Sequence, residues 1–108
     1  MTQQEFLDEN VFKTQQNTTI DNDPTTLYFT EGGFSEVLNK AEHYGIAIYD
    51  IKSTLDGETG KSANHEKFKK KATDPTWYKA VFKSLKNDQK DYLYAATYKV
   101  SKKLLNRK

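Results

Sequence analysis

Residues 32–53 read GGFSEVLNKAEHYGIAIYDIKS, and this stretch decides the fold class. After the two glycines, apolar side chains recur with the spacing of one face of an amphipathic helix. These apolar residues are Phe34, Val37, Leu38, Ala41 and Tyr44. Gly45 stands where helices commonly end in a left-handed conformation, and the apolar run at 46–51 predicts a buried strand. A helix, a tight turn and a strand in this order predict an α+β fold.

Two shorter elements are predicted nearer the N-terminus. Thr2 and Glu5 have the spacing of a capping box, which predicts a short helix over about residues 3–9. The segment TLYFT at 26–30 contains only β-branched residues, aromatic residues and a leucine, and it predicts a strand. The sequence between these two elements has no helical periodicity.

The region after residue 62 is predicted to be helical. The lysine-rich segment 63–72 predicts a short basic helix, and Asp74 with Pro75 predicts the start of a second helix that ends at about residue 86. Apolar residues at helical spacing predict a last helix over about residues 89–105. These residues are Leu93, Ala96, Val100 and Leu104. Since almost no loop joins the last two helices, they predict an αα-hairpin.

Length and composition favour a single α+β domain over residues 1–108. A chain of 108 residues is long enough for one hydrophobic core and too short for two. Aromatic residues make up 13% of the chain, which argues against disorder. The predicted architecture is a small sheet of two to three strands, with an acidic N-terminal half and a helical, basic C-terminal half.

Charge is divided unevenly along the chain, although the net charge is only +2. Residues 1–60 contain eleven acidic and three basic residues, whereas residues 61–108 contain four acidic and fourteen basic residues. A lysine-rich surface binds phosphate groups electrostatically. The sequence therefore predicts a non-enzymatic binding protein whose basic half meets an anionic macromolecule, with nucleic acid as the first choice of partner.

The candidate binding residues are lysines of the basic half together with two tyrosines of the predicted last helix. Exposed tyrosine rings could stack on unpaired bases. The chain has a single arginine, which disfavours bidentate reading of bases, so the predicted binding is not sequence-specific. The predicted site consists of Lys67, Lys69, Lys70, Lys71, Lys79, Lys83, Lys86, Lys102, Lys103, Tyr94 and Tyr98.

Other interpretations of the sequence stay open. The basic half could bind an acidic protein surface instead of nucleic acid. The two oppositely charged halves could attract each other within one chain, or they could associate head-to-tail between chains as a homo-oligomer. A third interpretation is a small enzyme with a cleft near Asp50, Glu58 and His65, because catalytic partners need not be close in sequence.

The segment Gly60-Lys61-Ser62 resembles the end of a phosphate-binding loop. Such a loop requires a glycine at the position occupied here by Leu55, because glycine backbone wraps the phosphates. The residues after Ser62 also predict helices without the later strand that a parallel nucleotide-binding sheet requires. A polar surface turn is therefore the favoured interpretation, and no nucleotide cofactor is predicted.

Several classes of protein are excluded or disfavoured by residue content. The chain contains no cysteine, which excludes disulfide bonds and thiolate metal sites. Its two histidines lack a metal-ligand spacing, so no metal is predicted. No apolar run reaches membrane-spanning length, and the first ten residues do not have the pattern of a secretory signal. We therefore expect a cytoplasmic protein that does not enter a membrane.

Overall fold

The computed structural model describes residues 2–12, 17–20, 23–55 and 58–105. The α-helices in these ranges are α1 (Gln3–Leu7), α2 (Glu31–Tyr44), α3 (Pro75–Asp88) and α4 (Lys102–Leu105). The strands are β1 (Asn17–Ile20), β2 (Asp23–Phe29), β3 (Ala47–Leu55), β4 (Glu58–Thr59), β5 (Ala63–Asn64) and β6 (Leu93–Lys99). A π-helical turn (Asp8–Phe12) follows α1, and a 3₁₀ helix (His65–Phe68) follows β5.

The strands form one antiparallel sheet in the order β1-β2-β6-β3-β4, and β5 also pairs with β3. The longest pairing is between β3 and β6, from Ala47 opposite Lys99 to Thr54 opposite Leu93. On its other side, β6 meets β2 where Phe29 lies opposite Tyr94. The strand that comes last in the sequence is therefore an interior strand of the sheet.

The predicted sheet of two to three strands and the predicted αα-hairpin are both wrong, whereas the α+β class holds. Residues 93–99 form β6, and the only helix described beyond them is α4. The apolar stripe at 93, 96, 100 and 104 fits a helix, but Tyr94, Ala96 and Tyr98 also alternate as in a strand. Pairing with β3 along seven residues of β6 decides between the two patterns, because tertiary context overrides weak local preference.

Three predicted elements are confirmed. They are the helix and the strand of the stretch 32–53, which are α2 and β3, and the helix that starts after Asp74, which is α3. α2 starts earlier than its apolar stripe, because the Thr30 hydroxyl accepts a hydrogen bond from the Gly33 N–H at 3.2 Å. Gly45 ends α2 with a φ of 67°, a conformation that glycine adopts without strain. β3 follows as predicted and continues to Leu55, and α3 begins where Asp74 caps the N–H of Thr76.

Predictions elsewhere in the chain had mixed outcomes. The capping box at Thr2 and Glu5 is confirmed, and the helix that it starts is α1. The strand at 26–30 is confirmed as the end of β2. The basic helix predicted at 63–72 is wrong, because residues 63–64 pair with β3 as β5 and the helical part is a single 3₁₀ turn.

The helices α2 and α3 pack against β6 and β3 through aromatic side chains. Phe34 of α2, Phe82 of α3 and Tyr94 of β6 contact one another, with ring centroids 5.0–5.9 Å apart. At one end of this layer, the side chain of Gln3 joins α1 to the sheet: its amide donates to the Tyr98 carbonyl at 3.1 Å and accepts from the Val100 N–H at 2.9 Å. In the described ranges, every helix is too short or too polar to cross a lipid bilayer.

Candidate functional site

The segment 67–71, called the basic loop below, comprises the end of the 3₁₀ helix and the residues that lead from it towards the cap of α3. Its side chains are all exposed and comprise Phe68 and four lysines, namely Lys67, Lys69, Lys70 and Lys71. None of these four lysines forms an ion pair with any residue that the structure describes; the ion pairs seen there involve Lys61 and Lys79 instead. The basic loop therefore presents four positive charges to solvent over a short length of chain.

The backbone of the basic loop is held at its middle and just after its end. At its middle, the Lys69 N–H donates to the Glu66 carbonyl at 3.1 Å, and Lys69 itself has a φ of 53°. Non-glycine residues with this left-handed conformation are uncommon and are kept there by surrounding contacts. Just after its end, the Ile48 N–H of β3 donates to the Ala72 carbonyl at 2.9 Å, which ties the loop to the sheet.

The ring of His65 adds a third attachment to the loop. Its Nδ1 lies 2.7 Å from the Lys70 carbonyl oxygen, and the Lys70 N–H lies 3.3 Å from the His65 carbonyl oxygen. Because a carbonyl oxygen only accepts hydrogen bonds, Nδ1 must carry the hydrogen and donate it. The loop is thus closed on itself by two hydrogen bonds between the same pair of residues, which fixes its shape.

A cluster of four aromatic rings lies beside the basic loop. The ring centroids of Tyr49 and His65 are 5.7 Å apart, those of His65 and Trp77 are 6.2 Å apart, and those of Trp77 and Phe68 are 6.1 Å apart. Trp77 is buried, whereas Tyr49 is 38% exposed and Phe68 is 48% exposed. Tyr49 points outward at an irregularity of β3, where the register with β6 shifts between Ile48 and Asp50.

Stacking on bases requires an exposed ring, but Tyr94 and Tyr98 both pack in the core or against it. Tyr94 is fully buried between α2 and α3, and Tyr98 packs against Phe12 with ring centroids 5.4 Å apart. Burial raises the pKa of the hydroxyl in both tyrosines. Their rings stabilise the core, so the aromatic surface next to the lysines is formed by Tyr49 and Phe68, which the sequence interpretation did not select.

The lysines of α3 lie on the flank that faces α2. Lys79, Lys83 and Lys86 line a groove of about 250 Å³ between these two helices. Two of the three have partners: Lys79 forms an ion pair with Glu42, and the Lys86 ammonium lies 4.7 Å above the centroid of the Phe82 ring. The structure therefore separates these lysines from the unpaired lysines of the basic loop.

The last two predicted lysines, Lys102 and Lys103, are exposed on α4. α4 follows β6 at the end where Lys99 pairs with Ala47, close to the attachment of Ala72 to Ile48. The register of the sheet thus brings α4 to the same end as the basic loop.

A second groove, called the apolar groove below, runs along the opposite flank of α3. It has a volume of about 440 Å³, and its apolar wall consists of Ala63, Phe68, Ala80, Val81 and Leu85. The hydroxyls of Ser62 and Ser84 also line it. At one end, the Lys61 ammonium pairs with the Asp88 carboxylate at 3.2 Å. The groove is bordered by the one exposed phenylalanine of the basic loop.

The segment that resembles a phosphate-binding loop packs against the sheet. A Cβ at Gly60 would lie 2.6 Å from both the Ser53 hydroxyl and the Tyr92 ring, so this close approach requires glycine. Gln89 accepts from the Lys61 N–H at 3.3 Å and donates to the Ser53 hydroxyl at 3.0 Å. The segment after Ser62 forms β5 and a 3₁₀ turn instead of the α-helix whose N-terminus would bind phosphate.

The three residues of the enzyme interpretation do not come together. The Asp50 carboxylate accepts a hydrogen bond from the Thr97 hydroxyl at 3.0 Å, on the β6 side of β3. Glu58 lies opposite Leu55, at the far end of β3, which at the rise of a strand is about 17 Å from Asp50 along the strand. His65 contacts Tyr49 and Trp77 instead. Among the described residues, no group of three or more histidine and carboxylate side chains could hold a metal ion.

No protein family model, no curated protein and no solved structure matches this chain.

Proposed function

We propose that this protein binds nucleic acid through the basic loop without recognising a particular sequence. The observation that carries the proposal is the loop itself, with four exposed lysines that lack ion-pair partners among the described residues. Lysine binds phosphate as a point charge and lacks the rigid, planar fork with which arginine contacts a base edge. One arginine against sixteen lysines in the whole chain favours contacts of this kind.

The fixed backbone of the loop supports binding for an entropic reason. A flexible lysine-rich segment loses backbone freedom when it is ordered on a ligand, and that loss opposes association. Here the hydrogen bonds from Ile48 to Ala72 and between His65 and Lys70 already order the backbone in the free protein. The backbone positions from which the lysine side chains extend are therefore set before any ligand arrives, and only the side chains lose freedom on binding.

The remaining lysines of the predicted site lie outside the basic loop, and we expect smaller contributions from them. Lys102 and Lys103 lie at the same end of the molecule as the loop, on a four-residue helix. The charge of Lys79 is partly neutralised by its ion pair with Glu42, and the Lys86 ammonium lies over the Phe82 ring. We rank the groups in the order basic loop, α4 and α3. The cytoplasmic location expected from the sequence is part of this proposal.

The test is an anisotropy titration with labelled single-stranded and double-stranded oligonucleotides at low and moderate salt. The variant Lys69→Glu, Lys70→Glu, Lys71→Glu should lose binding while keeping its fold, because these side chains are exposed and make no core contacts. For duplex DNA, removing three phosphate contacts should reduce the slope of log K against log salt by about 2 to 3. Lys102→Glu with Lys103→Glu should weaken binding less, because these two lysines lie on a four-residue helix outside the basic loop.

A control variant separates the position of the charges from their number. Lys40→Glu, Lys90→Glu, Lys99→Glu changes the net charge by the same amount at three scattered exposed positions outside the predicted site. We expect it to keep most of the wild-type affinity. Equal loss in the two triple variants would contradict the proposal, because binding would then depend only on net charge. If the wild-type protein binds neither oligonucleotide at low salt, the proposal of nucleic-acid binding is wrong, and an acidic protein surface becomes the leading candidate for the partner.

A further inference from the structure

The position of Phe68 is unusual for an exposed phenylalanine. Single exposed apolar side chains are common on protein surfaces and need no explanation. Phe68, however, is 48% exposed, is flanked in sequence by Lys67 and Lys69, and borders the apolar groove. Its ring packs on the buried Trp77 at a centroid distance of 6.1 Å and an interplanar angle of 30°. One side of the ring is thus supported by the core, while solvent reaches the rest.

The apolar groove beside Phe68 has the size and chemistry of a small-ligand site. Its volume of about 440 Å³ is mostly bounded by apolar atoms of α3 and of the segment 61–68. Pockets that bind flat organic molecules have such apolar walls with a few polar groups that fix orientation. Here the polar groups are the Ser62 and Ser84 hydroxyls and, at one end, the paired Lys61 and Asp88. Hydroxyls of this kind can donate to or accept from the edge of any nucleobase.

We infer that the protein selects single-stranded nucleic acid, with an unpaired base stacked on Phe68 in the apolar groove and the adjoining phosphates on Lys67 and Lys69. This inference rests on the proposed function. Charge complementarity identifies the ligand, because unpaired lysines flank the exposed ring on both sides in sequence. Bases of a duplex are stacked within the helix and do not reach such a groove, whereas the bases of a single strand do.

The experiment compares an oligothymidylate with a mixed-sequence duplex of equal length, both fluorescein-labelled, against wild-type protein and two variants. Phe68→Leu keeps an apolar side chain but removes the aromatic face. Ser84→Leu, at an exposed position of α3, fills part of the groove without changing any charge. Loss of one base stack should reduce affinity for the single strand by at least about fivefold, and affinity for the duplex should stay near the wild-type value.

The matched control is Tyr49→Leu, which removes an exposed ring of the same cluster that does not line the apolar groove. It should cost clearly less single-strand affinity than Phe68→Leu. Equal losses in the two variants would overturn the assignment of the base to the groove. Equal losses of single-strand and duplex affinity in Phe68→Leu would overturn the stacking role.

The outcomes also separate this inference from the function on which it rests. If single strand and duplex bind equally well, and neither Phe68→Leu nor Ser84→Leu changes this, the single-strand inference fails while the proposed function stands. If the charge-reversed loop variant binds both probes like wild type, the proposed function fails, and the inference fails with it. Circular dichroism and urea unfolding of each variant verify that a lost affinity does not reflect a lost fold.

Discussion

The helix α3 and the basic loop that precedes it contain similar residues in opposite surroundings. On α3, Trp77, Tyr78 and Phe82 are buried against the sheet and α2. In the basic loop, Phe68 is largely exposed, and the lysines around it have no ion-pair partner among the described residues. The first region accounts for stability and the second offers a surface for a ligand, although the rings of Trp77 and Phe68 touch.

The neighbouring lysines in the sequence therefore do not determine whether an aromatic side chain is buried or exposed. Phe68 lies between two lysines in the sequence, and a lysine also follows Trp77 two residues later. Trp77 is nevertheless buried, whereas Phe68 is exposed. If the division between a stabilising region and a binding region is correct, substitutions in the two regions should have separable effects.

The largest effect is expected for Trp77→Ala. Truncation of a buried tryptophan removes apolar contacts and leaves a cavity, so the free energy of unfolding should fall by about 3–5 kcal/mol. The matched variant Phe68→Ala, at an exposed ring of the same cluster, should lower it by less than about 1 kcal/mol. Urea unfolding of both variants measures the difference. Similar losses in the two would show that the cluster is one packing unit and would break the comparison.

The pH dependence of stability in alkaline solution should come from the enclosed hydroxyls of Tyr78 on α3 and Tyr98 on β6. Burial raises the pKa of Tyr78 above the ordinary tyrosine value of about 10, and burial also raises that of Tyr98. In the unfolded chain these hydroxyls ionise first, so the stability is complete below about pH 10 and falls as the pH rises above it. Each such tyrosine contributes up to about 1.4 kcal/mol per pH unit to that fall.

The variant Tyr78→Phe isolates this contribution. Its free energy of unfolding, measured by urea titration on either side of about pH 10, should decline less steeply than that of the wild type. Adding Tyr98→Phe should make the decline shallower again. If the slope of the free energy of unfolding against pH is unchanged in the double variant, neither hydroxyl is enclosed in solution, and our explanation of the pH dependence is wrong.

The smallest effect is expected for Lys61→Ala. The pair of Lys61 with Asp88 is exposed, and exposed ion pairs contribute about 0–1 kcal/mol. The hydrogen bond of the Lys61 backbone to Gln89 is kept in this variant, so the packed segment should stay in place. ATP and GTP should not raise the melting temperature of either protein. Micromolar nucleotide binding that disappears in the variant would contradict our interpretation of Gly60-Lys61-Ser62.

The elements that could be predicted from the sequence are those whose signals are local. The apolar face of α2, the glycine at its end, the Asp74 cap of α3 and the continuous apolar run of β3 need no distant partner to be recognised. β6 could not be predicted in the same way, because Leu93 to Val100 fits a helix and a strand about equally well. Its pairing partner, β3, is separated from it by the whole of α3.

The candidate site shows the same division between local and distant information. The lysines of the basic loop could be selected from the sequence, because a run of charged residues is exposed in almost any fold. The exposure of Tyr49 could not, because it depends on an irregularity in the pairing of β3 with β6. The burial of Tyr94 likewise depends on α2 and α3 closing over β6, which no short stretch of sequence contains.

The interior position of β6 has a consequence for how a nascent chain acquires this fold. β2 and β3 are complete in sequence long before residues 93–99 emerge from a ribosome, but they are joined only through β6. Until then each presents an open edge on which another strand could pair, and Phe34 lacks the Tyr94 ring that completes its surroundings. β1 can pair with β2, and β3 with β4 and β5, before β6 is available, but the two parts of the sheet cannot join without it. Pairings so distant in sequence slow folding. We expect an incomplete chain to associate with other chains through these two open edges.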